Sequence, residues 1–428
     1  MSGRSYIRLR EFRQLKKEIR GSREHLIVGI DVAKERHNAF FGTATGKTLL
    51  RRLVFENTRE GFERVLIQVE AIKVQHGLRK AVFGLEPTAN YHKPLGEHLI
   101  KGGHQVVLVS GNAVKRNREL LDGRWDKHDV KDSANVADLV SQGKCLFYEY
   151  PSMALRDLRN LLSLKRRLKR QEHGYRVRIR NHLVAQYFPE LDGWYGRSSS
   201  EGLAIVRWCL DPSVIAGLGF DEFVRLVTVY NRGIRQRRRL WAIWESAAAS
   251  VGCEGGEVVG FEAKMMVEGL RHIQETIRAT EDKIKGICYQ FPEYPYLLTI
   301  PGFGPDVSSK VLGALGNPFR FDSAQQVLKM AGFDLSADRS GKRSDAAVPV
   351  ISKKGKPDLR YALYQAALIA SVKNRDFIIY YTNKLRGRER ERGIKTKMRV
   401  KLAAKLLVIA WTLMKKKEPF DPEHLNKE

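Results

Sequence analysis

Four carboxylates stand where the sequence pattern ends a strand or begins a helix. Asp31 and Glu86 each follow an apolar run, so we expect both to project from strand ends into one cleft. Asp129 and Asp132 have an i, i+3 spacing at a predicted helix start, which places both carboxylates on one helix face. Hard oxygen ligands suit Mg²⁺ (or Mn²⁺), which can activate a nucleophile and stabilise the leaving oxygen in a displacement at phosphorus. The pattern therefore predicts a metal-dependent phosphoryl-transfer site.

Taken singly, each of these acids has a simpler explanation. An isolated Asp or Glu is more often a solvated surface group or a helix N-cap than a metal ligand. Asp122, Asp126 and Asp138 are further acids nearby, but their surroundings place them in a loop or later on the helix. The order and context of the four acids together favour the metal site.

The charge of the chain indicates its partner. The 428 residues include 76 Lys plus Arg against 48 Asp plus Glu, a formal net charge of +28. Such a positive field attracts polyanions, and nucleic acid is the partner we expect, with an acidic membrane surface as the competing interpretation. No stretch reaches the roughly 18 apolar residues of a membrane span, and the polar N-terminus does not resemble a signal peptide. We therefore expect a soluble, intracellular protein without a membrane partner.

The pattern of elements predicts an α/β domain followed by mainly helical domains. Three early strands joined by turns form a meander, and helices then alternate with strands, which is the order of a ribonuclease H fold with a mixed sheet. The chain is too long for one typical domain. The predicted parts are a basic leader (1–24), the α/β catalytic domain (25–150), a helical coiled-coil region (151–292), a helical C-terminal domain (293–420) and a tail (421–428).

The middle region contains two long helical patterns. The first carries a basic face with Arg166, Arg167, Lys169 and Arg170, for which we favour nucleic-acid contact over simple solvation. The second repeats apolar residues in four and three residue steps from Met266 to Ile287, as in a coiled coil. The two helices can pair as a hairpin, pair across a dimer, or both face one intramolecular core.

The C-terminal third contains a Pro/Gly turn between two short helical patterns, typical of a helix-hairpin-helix. Gly302 and Gly304 in this turn would let the backbone approach a phosphate closely. A plain turn between two helices is the alternative. Farther on, a polar basic loop contains Ser340 and Lys342. Considered alone, Ser340 is more typical of a turn residue than of a nucleophile.

Several runs resemble one known family. Residues 28–34, 84–91 and 128–134, which contain the four acids, are similar to the DEDD-type insertion-sequence transposases, relatives of the Piv and MooV DNA invertases. Residues 300–304 and 339–342 resemble that family's second conserved domain. The similarity covers most of the chain in the right order and is weakest in the middle.

The resemblance implies a fold and a reaction. It implies a Holliday-junction-resolvase-like N-terminal domain, a coiled-coil linker and a C-terminal domain with a nucleophilic serine. The metal-binding residues carried over are Asp31, Glu86, Asp129 and Asp132, and the nucleophile is Ser340, with Ser336 and Ser344 as alternatives in the same loop.

The resemblance also implies partners. They are donor and target DNA and a noncoding bridge RNA that guides the recombinase. The heptad pattern favours further copies of the chain, in a homodimer or tetramer. We expect the protein in the cytoplasm of a bacterium or archaeon, associated with the nucleoid. We therefore expect a DNA transposase or recombinase. A structure-selective, metal-dependent nuclease and a non-catalytic nucleic-acid-binding protein are the alternatives.

Overall fold

The computed structural model describes residues 3–121, 129–195, 200–228, 233–336 and 350–425. The chain divides into two compact units, residues 1–152 and 153–428. The predicted mixed α/β sheet at the N-terminus and the largely helical remainder are both confirmed.

The N-terminal unit is built on a mixed six-stranded sheet. The strand order is β3-β2-β1-β4-β5-β6. The first three strands form an antiparallel meander, β4 and β5 run parallel to β1, and β6 is antiparallel to β5. The strands are β1 (His25–Asp31), β2 (Arg36–Thr43), β3 (Thr48–Glu56), β4 (Lys80–Leu85), β5 (Gln105–Leu108) and β6 (Leu146–Phe147).

Helices cover both faces of this sheet, and each face has its own core. Phe41 and Phe62 belong to one buried cluster, and Ile27 and Val140 belong to the other. The helix from Arg59 begins at Thr58, whose side chain accepts a hydrogen bond from the Gly61 N–H, as an N-cap residue does. The helices are α1 (Gly3–Glu18), α2 (Arg59–His76), α3 (His92–Lys101), α4 (Gly111–Leu121) and α5 (Asp129–Ser141).

The described residues of the second unit are helical apart from a small antiparallel pair of strands. Its helices are α6 (Met153–Arg178), α7 (Ala185–Tyr187), α8 (Asp192–Tyr195), α9 (Ser200–Trp208), α10 (Pro212–Ala216), α11 (Phe220–Val227), α12 (Ile234–Ala247), α13 (Glu257–Cys288), α14 (Tyr294–Leu298), α15 (Pro305–Leu315), α16 (Ala324–Ala331), α17 (Pro357–Lys373), α18 (Arg375–Leu385) and α19 (Ile394–Lys416), and its strands are β7 (Leu335–Ser336) and β8 (Val350–Ile351). A π-helical turn, Ile179–Val184, continues α6, and short 3-10 turns lie at Pro189–Leu191, Pro318–Arg320 and Pro422–Leu425.

The two long helices α6 and α13 pack against each other within the chain. Gly269 of α13 lies under the ring of Tyr175 of α6, and Gln274 donates a hydrogen bond to Glu172 across the pair. Leu270, Ile277, Thr280 and Ile284 of the predicted heptad stripe are buried. Within one chain, this stripe therefore faces intramolecular partners. No helix in the described part of the chain is both long and apolar enough to span a membrane.

Candidate functional site

Two of the predicted acids come from neighbouring parallel strands. Asp31 is the last residue of β1. Ile30 and Leu85 are paired between β1 and β4, and the Glu86 N–H then donates to the Ile30 carbonyl oxygen at 3.3 Å, which extends the ladder by one residue. Because both acids follow this last pair, their side chains leave the sheet at the same edge, as the sequence predicts.

The third acid comes from helix α5, which lies directly on β1. A Cβ atom built on Gly29 would be 2.2 Å from the Ser133 carbonyl oxygen and 2.5 Å from the Ala137 nitrogen. The absence of a side chain at Gly29 therefore allows the helix backbone to touch the strand. Asp132 lies one residue before Ser133 and is buried, with 3% of its surface exposed. Asp129 is the first residue of α5, but its side chain lies outside the described residues.

Asp31, Glu86 and Asp132 line one cleft of about 680 Å³, which we call the carboxylate cleft. Asp132 forms an ion pair with Arg118 of α4. Glu86 lies against the start of α4, since a Cβ on Gly111 would be 2.8 Å from its Oε1 atom. Five cationic side chains also line the cleft: Lys34, Arg36, Arg52, Lys115 and Arg118. The cleft thus combines oxygen ligands for a cation with positive charges for an anion.

The turn after Asp31 is held by two polar side chains, of which His37 is buried. The Ala33 N–H donates to His37 Nδ1 at 3.2 Å, and Asn57 Nδ2 donates to the Lys34 carbonyl oxygen at 3.1 Å. Burial lowers the pKa of His37 below its ordinary value of 6.5, although a hydrogen bond with Asn57 acts in the opposite direction. The neutral imidazole that results can accept the Ala33 N–H bond and so fix the path of the chain beside Asp31.

The donor set of the carboxylate cleft fits a hard divalent cation. Three carboxylates and the amide of Asn38 line it, and the Asn38 Oδ1 atom is buried without a hydrogen-bond partner among the described residues. Oxygen donors of this type are those that Mg²⁺ and Mn²⁺ prefer. No group of three His, Cys, Asp or Glu close enough to hold a metal occurs among the described side chains. Since the Asp129 side chain is not among them, the predicted four-acid site stays a prediction.

Asp138, a weaker candidate on the same helix, has a structural role. Its Oδ2 atom accepts hydrogen bonds from Asn117 and Gln142, both at 2.8 Å, and it does not line the carboxylate cleft. It serves as a matched acid outside the cleft.

The second unit contains a larger cavity of about 1020 Å³, which we call the basic groove. Arg166, Lys169 and Arg170 of the predicted basic face line this groove, whereas the exposed Arg167 does not. Three acids also line it. Its seven Lys and Arg residues are Arg159, Lys165, Arg166, Lys169, Arg170, Lys310 and Lys356. The groove is therefore lined by more cations than anions.

Some of these cations have partners within the chain. Lys165 Nζ lies 2.8 Å from Glu281 and 2.7 Å from Asp306. Burial acts to lower the pKa of Lys165, but hydrogen bonds to Asp306 and Glu281 outweigh it and raise this pKa. Arg166 pairs with Asp358 at 3.0 Å, with both side chains about half exposed. Arg170 has no ion-pair partner in the described part of the chain, so it is the groove cation most available to a ligand.

Sequence reasoning missed the cations that other elements contribute. Arg118 and Lys115 reach the carboxylate cleft from α4, and Lys310 and Lys356 reach the basic groove from outside α6. The sequence feature that these residues share is a cation in or just before a helix close to a recognised motif. Because most surface helices carry such cations, this feature does not identify the ones that line a site.

The remaining predicted residues have different outcomes. Gly302 has a positive φ of 86°, and a Cβ there would be 2.4 Å from the Ala366 carbonyl oxygen of α17, so packing within the chain is sufficient to explain this glycine. A Cβ on Gly304 would meet nothing within 4 Å, and the contact of both glycines with a phosphate stays a prediction. Ser340 and Lys342 lie outside the described residues.

Comparison with known proteins adds two family matches. A family model of transposases of the DEDD IS110 type matches residues 28–189. A second model, described as "Transposase IS116/IS110/IS902 family", matches residues 294–382. The first match thus contains the residues of the carboxylate cleft, and the second contains much of the part of the helical unit that follows α13.

Curated relatives agree with these matches. A protein of insertion element IS110 from Streptomyces coelicolor, itself described as uncharacterized, is 24% identical over 336 residues, which cover 74% of this chain and 77% of that protein. The pilin gene-inverting proteins of Moraxella lacunata and Moraxella bovis are each 26% identical over 402 residues, covering 92% of this chain and 97% of theirs.

Proposed function

The chain belongs to the DEDD-type IS110 family of insertion-sequence transposases, enzymes of DNA recombination, and we propose that it cuts and exchanges DNA strands at the carboxylate cleft. The single observation that carries this proposal is the convergence of Asp31, Glu86 and Asp132 from three separate elements on one cleft. We assign the sheet to the resolvase-like variant of the ribonuclease H fold, which its strand order supports.

Members of this family generally use divalent metal ions. In our proposal Asp31, Glu86 and Asp132, together with Asp129, hold Mg²⁺ or Mn²⁺. When bound, the ion supplies electrostatic stabilisation to the charge that develops at phosphorus. Arg118 pairs with Asp132 and is positioned to turn to a phosphate when that carboxylate binds a cation.

The cations of the carboxylate cleft bind the DNA backbone. Arg36 and Arg52 line the cleft from β2 and β3, and Lys115 lines it from α4. A phosphodiester between these walls would be held by charge on both sides while the carboxylates remain close to the scissile bond. The walls therefore orient the substrate as well as attract it.

Ser340 is the proposed nucleophile, by the family resemblance. Its Oγ attacks phosphorus, the bond from phosphorus to the leaving DNA oxygen breaks, and that oxygen takes up a proton. The covalent phosphoserine conserves the phosphodiester energy. A hydroxyl of the new strand then attacks the same phosphorus and releases the serine, so that strands are exchanged without hydrolysis.

The basic groove is the proposed nucleic-acid interface of the helical unit. Arg170, Lys169 and Arg166 are exposed along one side of α6 and line it. Contacts of this type neutralise phosphates without reading sequence. Target choice in this proposal is left to a guide RNA encoded by the element, and strand exchange takes place in a dimer or tetramer.

A paired substitution tests the catalytic proposal. Asp31→Asn should abolish cleavage of a DNA substrate and retain DNA binding, because the fold loses only one charge. Asp138→Asn is the control, and it should keep its cleavage activity because this acid lies outside the cleft. Wild-type cleavage by Asp31→Asn would contradict the site.

The nucleophile is tested by trapping. A stalled wild-type reaction should contain protein joined covalently to a DNA end, and Ser340→Ala should lose both the adduct and recombination while it still binds DNA. Denaturing gels followed by peptide mapping detect the adduct. Cleavage by Ser340→Ala at the wild-type rate, without an adduct in either protein, would instead identify a nuclease that uses water.

A further inference from the structure

Asn38 is a polar residue of the carboxylate cleft with a buried oxygen that lacks a partner. It lies on β2, lines the cleft and has only 8% of its surface exposed. Its Oδ1 atom accepts no hydrogen bond from any residue that the structure describes. Buried polar atoms are nearly always paired, and one left unpaired destabilises the folded state. Retention of an amide here therefore requires another explanation.

The sheet places Asn38 directly opposite the first acid. Asp31 and Asn38 are cross-strand partners in the antiparallel ladder of β1 and β2. Directly opposite residues have Cβ atoms about 5 Å apart and point to the same sheet face. The amide of Asn38 and the carboxylate of Asp31 thus share one side of the cleft.

We propose that the Asn38 side-chain oxygen is a further ligand of the divalent cation held by Asp31, either directly or through a water of that cation. This inference rests on the proposed function of the cleft. A neutral amide oxygen suits the position because it adds a hard donor without adding another negative charge to the acidic cluster. The Asn38 oxygen is then part of a preformed site, and it gains its partner only when the cation binds.

The proposal predicts opposite effects of one substitution on two measurements. Asn38→Leu replaces the amide with an apolar group of similar size, so the metal-free protein should gain a few degrees of thermal stability, about 2–4 °C. The same variant should bind Mn²⁺ about 10–100-fold more weakly, since it has lost a ligand. A purely structural role for the amide would not produce both effects.

Asn38→Asp tests the same atom from the other direction. The variant keeps an oxygen at the position and adds a negative charge opposite Asp31. Its Mn²⁺ affinity should rise above that of the wild type, whereas its metal-free form should melt at a lower temperature because of like-charge repulsion. Loss of Mn²⁺ affinity in this variant would contradict the proposal.

The experiment uses the full-length protein without DNA, with free Mn²⁺ measured by electron paramagnetic resonance and melting by calorimetry. Ser308→Ala is the matched control, because Ser308 has a buried Oγ without a partner in the described residues of the helical unit, and its Mn²⁺ affinity should equal that of the wild type. Asp31→Asn separates the two levels of the argument. If Asp31→Asn binds Mn²⁺ normally, the metal site itself is refuted. If Asp31→Asn loses Mn²⁺ but Asn38→Leu binds it like the wild type, only the role of Asn38 is refuted.

Discussion

The contact between helix α5 and strand β1 is the structural basis of the carboxylate cleft, and Gly29→Ala tests it. The new Cβ would be 2.2 Å from the Ser133 carbonyl oxygen, 2.5 Å from the Ala137 nitrogen and 2.9 Å from the Ala137 Cβ. The shortest of these is about 1.2 Å below the lower limit of ordinary contact. Two of the three atoms are backbone atoms, so α5 must move away from the strand as a unit.

The expected loss of folding stability in Gly29→Ala follows from that displacement of α5. Overpacking of a core costs about 1–3 kcal/mol, and backbone contacts place this substitution near the upper end. Loss of backbone freedom in the unfolded chain offsets about 0.5–1 kcal/mol, which leaves a net cost of about 2 kcal/mol. For a unit of this size the melting temperature should fall by about 4–8 °C. Since α5 carries Asp132, a shift of about 1 Å should also lower the cleavage rate by about 100-fold.

Gly84→Ala is the matched control. Gly84 pairs with Gly29 in the neighbouring strand and faces the same helix, but the atoms nearest its new Cβ would all be side-chain methyl groups, of Val140 at 2.7 Å, Val136 at 3.0 Å and Val109 at 3.9 Å. These methyl groups can move without the helix backbone, so the cost should be about 1 kcal/mol or less, or about 2–4 °C. Calorimetry of both variants and a DNA cleavage assay make the comparison. Equal melting temperatures and full cleavage by Gly29→Ala would refute the reasoning.

Three other predictions use different parts of the molecule. Gly111→Ala should leave the melting temperature within about 2 °C of the wild type but weaken Mn²⁺ binding at least about 10-fold, because its Cβ would displace the carboxylate of the Glu86 side chain. Unchanged Mn²⁺ affinity would refute this prediction. Arg170→Ala should weaken nucleic-acid binding and reduce its salt slope by about one unit, whereas the exposed Arg167→Ala, outside the basic groove, should change neither; equal effects in filter-binding titrations would contradict the groove. Burial lowers the folded-state pKa of His37 below 6.5, so the unfolded chain binds the proton more readily. The stability that this group contributes above pH 6.5 should therefore be lost as the pH falls below that value. A melting temperature in calorimetry that stays constant when the pH is lowered from 7 to 5 would count against this burial effect.

Much of the N-terminal fold could be predicted from local pattern. The apolar run before Asp31 and the one before Glu86 become adjacent parallel strands, and the meander and alternation become the observed strand order. These predictions succeed because hydrophobic periodicity and turn residues act over a few neighbouring positions. The basic face of α6 was visible for the same reason, since its cations recur along one helix.

The partners of those residues could not be predicted. Arg118 is 14 residues from Asp132 and meets it only because α4 and α5 pack on the same face of the sheet. Lys165 looks like another free cation in the sequence, but Glu281 and Asp306 pair with it after α6, α13 and α15 come together. The sequence around a charged residue does not show whether an opposite charge will lie beside it in the folded chain.

The sequence by itself determined which side chains could do chemistry and at which ends of which elements they stand, because the residue types and the periods of two and 3.6 are local properties. Only the tertiary structure decided which of them meet. Gly29 shows the reason. In the sequence it is one glycine in a strand, but in the folded chain the backbone of α5 lies against it, and this contact brings Asp132 into the cleft with Asp31. The same applies to Asn38, whose unpaired oxygen exists only in the folded chain. Close approach and burial are properties of pairs of distant residues, and the folded backbone creates those pairs.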